Sequence, residues 1–306
     1  MDLRQLNALV AVADHGTFSA AADALNTVQS NVSTHVARLE KEVGTILVDR
    51  AGGGLTAEGA AVVERARRIQ AELESLDSEV AAFRDEVTGN VRLGMIGTTA
   101  RWLSPPLLDA MAERHPGVHM VIVDATSTSL EPQLASGRLD LAVVNLPMPA
   151  PDLMTTPLFD EDLLLVVPDN HPLASAGRAD MGDLADLDLL LPAPGTAFRE
   201  EIDAAARAEG VTLRPRAELD GVRLIASLTM DGRGPAILPA TALPGWVQGR
   251  WVGIPVMGLP RRSVGLAQRR RGLPSPPVRA LLEVLYQVVR DGLEGEAGLH
   301  VPAVDT

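Results

Sequence analysis

The sequence predicts an α plus α/β protein in three parts: a small helical module ending in a hairpin, one long helix, and a two-lobed α/β domain. Three observations predict this. Residues 1–58 carry apolar positions at helical spacing, broken by Gly16 and Gly44. The following stretch repeats its apolar residues in alternating steps of four and three. From Thr88 onward, strand-like and helix-like patterns alternate. A chain of 306 residues that is 46% hydrophobic is long enough to build separate cores and too apolar to stay disordered.

Composition narrows the chemistry. With no cysteine there is no disulfide, no thiolate and no Cys-ligated zinc. A net charge of −13 argues against non-specific nucleic-acid binding as the main activity, although a small DNA-binding module on a larger acidic domain remains compatible. Lys41 is the single lysine, which points to a GC-rich genome rather than to a function. The start, MDLRQLNALVAVADHG, lacks a basic leader and a small-residue cleavage site, and no apolar run approaches membrane-spanning length. The expectation is a cytoplasmic protein with no membrane partner.

In the first part, Leu6, Leu9, Val10 and Ala13 form the stripe of a first helix. Thr17-Phe18-Ser19 opens a second helix. Asn26 reads as a turn, and Thr27 as the N-cap of a third helix that Gly44 ends. VDRAGGGLTAEG reads as a hairpin between Val48 and Leu55. On a wheel, Val28, Val32, Val36, Leu39 and Val43 of the third helix share one arc, and Ser30, Ser33, Thr34, Ala37, Arg38 and Lys41 lie opposite. One face packs while the other shows hydroxyls and a few cations, as in the second helix of a helix-turn-helix. The candidate DNA contacts are Thr27, Gln29, Ser30, Ser33, Thr34, His35, Arg38 and Arg50. Gln29 is suited to adenine, the serines to bases or phosphates, and the helix N-terminus to a phosphate.

The long helix, about 57–87, places Val62, Ala66, Ile69, Leu73, Leu76, Val80 and Phe83 on an a/d seam. Each such side chain gains roughly 1.5–3 kcal/mol on burial. A partner helix is therefore expected, and a homodimer supplies one; the plainer reading is a surface helix packed on its own domain.

Beyond Thr88, VRLGMIG, VHMVIVD and LDLAVVN read as strands separated by the helices PPLLDAMAERHP and LEPQLASG, a βαβαβ rhythm that implies a parallel sheet. LLLVVP opens a second set, with helices in FREEIDAAARAEG and VRLIASLTMDG and strands in PAILP and RWVGIPV. SVGLAQR returns, and PPVRALLEVLYQVVRDG is the last helix. The expected boundaries are 1–58 for the helical module, 59–88 for the linker helix and 89–295 for the α/β domain. Its first lobe takes about 89–161 and 267–295, and its second about 162–266. The crossovers are expected near 160–163 and 266–269, with 296–306 as a flexible tail.

GTFSAAADALNTVQSNVSTHVARLEKEVGTILVDR resembles the helix-turn-helix signature of LysR-type transcriptional regulators. The likeness rests on Phe18, Ala21-Ala22, Leu25, Gln29-Ser30, Val32-Ser33, Arg38-Leu39-Glu40, Gly44, Leu47 and Arg50, continued by Leu55-Thr56 and Gly59. The resemblance implies a winged helix-turn-helix that binds an interrupted palindrome in double-stranded promoter DNA. It also implies a dimerising linker helix and an effector-binding domain similar to type 2 periplasmic solute-binding folds. A homodimer paired into a homotetramer is implied, with RNA polymerase as a further partner if the protein activates. This chain departs from the family pattern in its charge. Residues 1–65 carry Arg4, Arg38, Lys41, Arg50 and Arg65 against Asp2, Asp14, Asp23, Glu40, Glu42, Asp49, Glu58 and Glu64, and the wing reads AGGG after Arg50. Few phosphate contacts and reliance on the oligomer follow.

Three hydroxyl-bearing segments follow strands and precede helices: Gly97-Thr98-Thr99-Ala100-Arg101, Ala125-Thr126-Ser127-Thr128 and Pro194-Gly195-Thr196. Ligands of open α/β sheets bind off the carboxyl ends of strands, where helix N-termini favour anions. The candidate effector contacts are Thr98, Thr99, Arg101, Thr126, Ser127, Asn145, Gly195 and Thr196, with Trp102 as an aromatic wall; the resemblance places the family's contacts on the same loops. Each hydroxyl also reads as a plain helix cap, with Thr128 and Glu131 fitting a capping box and Ser104-Pro105 an N-cap and first turn. No cofactor is expected beyond a small organic effector, a carboxylic acid by the helix N-termini. An enzyme is disfavoured, because there is no GxSxG, P-loop or GxGxxG after the first strand. His115 and His119 lack ligand-spaced carboxylates for a metal. The alternative is a solute-binding type of sensor with weak or lost DNA binding.

Overall fold

The computed structural model describes residues 1–50, 54–82, 87–246, 248–270 and 273–302, with the backbone alone at 77, 78, 81 and 82. The chain forms two compact units. The first contains α1 (Leu3–His15), α2 (Phe18–Ala24), α3 (Gln29–Val43), β1 (Val48–Asp49), β2 (Gly54–Leu55) and α4 (Ala57–Ala82). Asp2 starts α1 with a capping box on Gln5, and the Thr17 hydroxyl accepts the Ala20 N–H to start α2. Gly16 and Gly44 end α1 and α3 in the left-handed conformation that glycine tolerates without strain.

The cap expected at Thr27 is corrected. α3 begins at Gln29 with Val28 as its extended N-cap, and the Thr27 hydroxyl instead accepts from the Asn31 side-chain amide at 3.0 Å. The packed arc of α3 is also narrower than its wheel suggests. Val32, Val36 and Leu39 are buried with Leu6, Leu9 and Leu47, whereas Val28 and Val43 at the helix ends are exposed. The hairpin forms, Val48 opposite Leu55; its glycine tip at 51–53 lies outside the described residues.

The seam of α4 divides. Val63 and Ala66 are buried in the core of the helical module and Val62 packs against it. This is the plainer surface-packing reading, and it describes the first three turns. Further along, Ile69, Leu73, Leu76 and Val80 are exposed. Phe83 lies outside the described residues.

The second unit has two lobes, each built on a six-stranded sheet. In chain order it contains β3 (Gly89–Met95), α5 (Gly97–Arg114), β4 (Val118–Asp124), α6 (Ser127–Ala135), β5 (Leu141–Leu146) and β6 (Leu153–Glu161). Next come β7 (Leu163–Pro168), α7 (Pro172–Ala176), β8 (Ala179–Asp180), β9 (Asp188–Pro192), α8 (Ala197–Ala208), β10 (Arg214–Leu219) and α9 (Val222–Met230). The chain continues through β11 (Ala236–Pro239), β12 (Trp251–Met257), β13 (Arg262–Arg269), α10 (Pro276–Gly295) and β14 (Leu299–His300). The first lobe's strands run β14-β6-β13-β5-β3-β4 and the second's β10-β9-β11-β7-β12-β8. β3 is parallel to both β4 and β5, as the βαβαβ pattern requires.

Three expectations about this unit change. The second crossover falls at 258–261 rather than 266–269, because all of β13 from Arg262 pairs with β5 and β6 in the first sheet. The tail is not loose throughout, since Leu299 and His300 pair with Glu161 and Asp160. α5 starts at Gly97, well before Ser104, with Pro105 and Pro106 inside it. Both prolines are exposed, and each removes one helix hydrogen bond, to the carbonyls of Arg101 and Trp102. Thr98, Thr99, Ala100, Trp102, Leu103, Leu107 and Met111 are buried, and that packing holds the helix through the break.

Candidate nucleic-acid interface and effector cleft

On α3, Gln29, Ser30, Thr34 and Arg38 are exposed, while Ser33 and His35 are half-buried, as is Thr27 just before the helix. The Thr34 hydroxyl donates back to the Ser30 carbonyl at 2.7 Å, which takes it away from a base or phosphate. The His35 Nδ1 is buried with no hydrogen-bond partner among the described residues. A hollow of about 480 Å³ brings Gln29 and Ser33 together with Thr17, Phe18, Ser19 and Arg50. Thr17 and Ser19 were not among the sequence candidates; their position at the head of α2, beside the first turn of α3, was the signal.

Arg50 stacks 5.4 Å from the Phe18 ring centroid and lies 3.7 Å from Glu40. In the sequence Glu40 reads as cancelling the cations of α3. In the fold its carboxylate accepts the Leu47 and Val48 N–H groups at 2.9 and 3.2 Å, so it pins the chain entering the hairpin. The acid is structural, and it orients Arg50 as well as offsetting it.

In the second unit the candidate effector residues sort into two groups. Thr99, Thr126, Ser127 and Asn145 lie at the carboxyl edge of the first lobe's sheet. Ser127 Oγ accepts the Asn145 N–H at 3.0 Å. Thr126, not Thr128, caps α6: its Oγ1 accepts the Ser129 N–H at 3.3 Å, so the expected Thr128–Glu131 capping box is replaced. α5 begins at Gly97 with no side-chain cap. The Thr99 hydroxyl, fully buried, and the Asn145 Oδ1 have no hydrogen-bond partner among the described residues. Buried polar atoms of this kind are uncommon and call for a partner.

The other candidates are committed elsewhere. Arg101 stacks 5.6 Å over the Trp246 ring, and Trp102 packs edge-on against Phe159 with centroids 5.2 Å apart. Thr196 caps α8 by accepting the Arg199 N–H and donating to the Ala193 carbonyl. Gly195 beside it takes φ +81, facing open space. Thr98 is 4% exposed and belongs to a network the sequence did not reveal.

That network lies where the chain passes between lobes. Glu161 ends β6 and Arg262 opens β13, and the two are register partners. Glu161 is wholly buried, and its Oε1 accepts from the Arg262 Nε and Nη2 at 2.9 and 2.5 Å. Its Oε2 accepts the Thr241 N–H and hydroxyl at 3.1 and 2.7 Å. Thr98 Oγ1 lies 3.1 Å from Thr241 Oγ1 and 3.4 Å from Arg262 Nη2. The head of α5 is thus tied to both crossover strands. Phe198 at the head of α8 lies 5.7 Å under the Arg262 guanidinium. Glu201, also in α8, is raised by burial above the ordinary carboxyl range, with Arg262 opposing the rise and Glu161 adding to it.

A second tie spans the lobes at the surface. Arg223 of α9 pairs with Asp124 at the end of β4 at 2.6 Å. The Arg223 stem crosses Gly97 so closely that a Cβ there would lie 3.1 Å from its Cγ. Asp124 and Arg223 are far apart in sequence and lie in different segments, so no local spacing announces them.

Residues 3–60 match the model of the bacterial regulatory helix-turn-helix protein, lysR family, and residues 84–290 match the LysR substrate binding domain. The chain is 33% identical over 273 residues to a probable hydrogen peroxide-inducible genes activator of Mycobacterium avium, covering 86% of each. It is 28% identical over 301 residues to the DNA-binding transcriptional dual regulator OxyR of Escherichia coli, covering 96% of this chain and 97% of that one. A solved full-length OxyR from Pseudomonas aeruginosa, carrying a cysteine substitution, superposes with a TM-score of 0.76 at 25% identity, covering 97% and 98% of the two chains. CbnR in complex with its target DNA shares the fold, with a TM-score of 0.67 at 24% identity over 95% and 100%. With both parts of the chain matched in their expected order, this protein belongs to the LysR family and is a DNA-binding transcriptional regulator with an effector-binding domain.

Proposed function

We propose that this regulator reads its promoter through the first turns of α3 and responds to a small organic acid held at the head of α5. The DNA reading rests on one observation: Gln29, Ser30 and Arg38 are presented on the face opposite buried Val32, Val36 and Leu39. Gln29 and Ser33 share a hollow with Arg50, and this grouping suits one base edge flanked by phosphate contacts. The effector reading rests on the uncapped N-terminus of α5 beside the unpartnered Thr99 hydroxyl and Asn145 carbonyl. A carboxylic acid supplies acceptors for the helix N–H groups. In its protonated form, or through a hydroxyl, such an acid also supplies a donor for Asn145.

The dimer forms through the exposed apolar stretch of α4, and the effector domains pair dimers into a tetramer in the cytoplasm. Effector binding favours one inter-lobe arrangement, and the oligomer passes that preference to the spacing of its DNA-binding modules, a shift in population between two assemblies. The protein acts through DNA and RNA polymerase rather than as a catalyst. A sensor that has lost DNA binding is the weaker reading, because residues 3–60 match the family's DNA-binding module.

Several relatives are named for hydrogen peroxide-inducible activation. Oxidation of a thiol needs a cysteine, and these 306 residues contain none, so a response to peroxide through thiol chemistry is closed to them.

A gel shift on the upstream intergenic region tests the reading. Ser33→Ala and Gln29→Ala are expected to weaken specific binding by about 1–3 kcal/mol each. Thr99→Val is expected to abolish the effector response with promoter affinity intact. Unchanged binding in both α3 variants would reject the groove assignment, and an intact response in Thr99→Val would reject the cleft.

A further inference from the structure

The first crossover between the lobes is one residue, Asp162, set between β6 and β7. Movement of one lobe against the other is absorbed by backbone rotation at this residue and at 258–261. Asp162 has little freedom to rotate. Its N–H donates to the Gly298 carbonyl at 2.8 Å, and its carbonyl accepts the Ala240 N–H at 3.0 Å. Its Oδ1 accepts the Arg261 Nε at 2.8 Å, which joins the two crossovers. Its Oδ2 lies 2.9 Å from His300 Nε2. Gly298 and His300 both belong to the segment at the end of α10.

That segment, 296–300, touches both lobes. It leaves a fixed point, because Gly292 lets the Trp102 indole of α5 rest on the backbone of α10; a Cβ there would come within 2.4 Å of Trp102 Cζ2. Glu296 then reaches into the second lobe, where its two carboxylate oxygens accept the Gly245 N–H at 3.0 and 2.9 Å. Gly298 runs against the turn after β11, so closely that a Cβ would lie 3.0 Å from the Ala240 Cβ. It takes φ +80, which glycine adopts without strain. Leu299 and His300 return to the first lobe as β14, opposite Glu161 and Asp160, and cover the outer edge of β6. Leu299 is buried, so apolar contact anchors the strand as well.

We infer that residues 296–300 form a clasp over the hinge, and that the lobes separate only once it lets go. Glu296 and Gly298 hold the second lobe, β14 holds the first, and Gly298 with His300 holds the residue about which the lobes turn. Opening therefore includes the release of this segment, and whatever favours the released clasp favours the open effector domain. As regulation of the cleft, the inference rests on the effector reading above. Its test follows lobe movement with no effector present, so either can fail alone.

Hydrogen exchange on the full chain provides that test. The reporters are the Ala240 and Thr241 amides, which donate to the Asp162 carbonyl and to Glu161 Oε2 rather than to the clasp. Gly298→Val places a side chain against Ala240 in a left-handed conformation, and Glu296→Ala frees Gly245. Each is expected to speed exchange at both reporters about tenfold, the loss of one or two net hydrogen bonds, while β3 and β5 in the first sheet exchange as before. Unchanged exchange at Ala240 and Thr241 with both substitutions combined would overturn the inference. An equal rise in β3 and β5 in the mild Glu296→Ala variant would mean that the segment supports the whole lobe and not the hinge, and would overturn it too.

Discussion

At Glu161 a carboxylate is taken wholly out of water, which costs several kcal/mol unless its lone pairs are filled. Arg262 and Thr241 fill them with four hydrogen bonds. Such a pair contributes little net stability over an apolar pair, but removing one member strands the other. Glu161→Leu is expected to cost about 3–5 kcal/mol in urea unfolding, and Glu161→Leu with Arg262→Met to recover most of it. A loss under about 1 kcal/mol in the single variant would contradict the burial of the pair. Glu201 follows the opposite logic. Its carboxyl is raised in the folded state, chiefly by burial, so the folded chain holds that proton more tightly than the unfolded chain. Its contribution favours folding at low pH and is lost as pH rises through the raised value. Glu201→Gln is therefore expected to raise Tm at neutral pH, with the gain vanishing below the ordinary carboxyl range. A gain that persists there would show that ionisation is not its source. Neither residue was legible in the sequence, where both are two among 40 acids.

At the scale of elements, spacing predicts which face of a helix is apolar but not what covers it. α4 shows the distinction. Its apolar seam is regular, yet Ala66 is buried in the module's own core while Leu76 and Val80 are 56% and 55% exposed. The exposed part is the dimer surface proposed above. Leu73→Glu with Leu76→Glu is expected to reduce the tetramer to dimers held by their effector domains alone in analytical ultracentrifugation, and to weaken promoter binding at least a hundredfold, because paired half-sites are no longer bound by helices joined through α4. A double variant that still sediments as the parent would move the interface elsewhere. α5 makes the same point about helix ends. Pro105 reads as a first turn by local chemistry, but burial of Thr98, Thr99, Ala100, Trp102 and Leu103 extends the helix back to Gly97. Strands β9 and β10 were not seen from sequence, since DLLLP is short and RPRAEL is polar at a sheet edge.

At the scale of the whole molecule, an acidic protein with a net charge of −13 binds a polyanion through a small set of cations. Arg38, Lys41 and Arg50 are the basic side chains that α3 and its hairpin expose. A dimer then reaches about six phosphates, which predicts a slope near −5 for log K against log salt. A salt series of gel shifts measures it; a slope near −10 would mean that further basic surface engages DNA. In the effector domain, the lobes are tied by the buried network at the crossovers, by the Asp124–Arg223 pair, by the stack of Arg101 on Trp246 and by the Glu296 carboxylate that accepts the Gly245 N–H.

From sequence alone came the three-part organisation, the packed and open faces of α3, the apolar repeat of α4, and the exclusion of thiol chemistry. Each depends on residue type and on spacing within a few turns or one strand, where backbone geometry dictates which side chains share a face. Tertiary structure decided the rest: that Thr98 belongs to a buried network at the crossovers, that Glu40 anchors the hairpin, and that β13 returns to the first sheet from Arg262. Glu161 and Arg262 are 101 residues apart. No periodicity links positions so distant; strand pairing brings them within hydrogen-bond reach, and only then does burial make their charges matter.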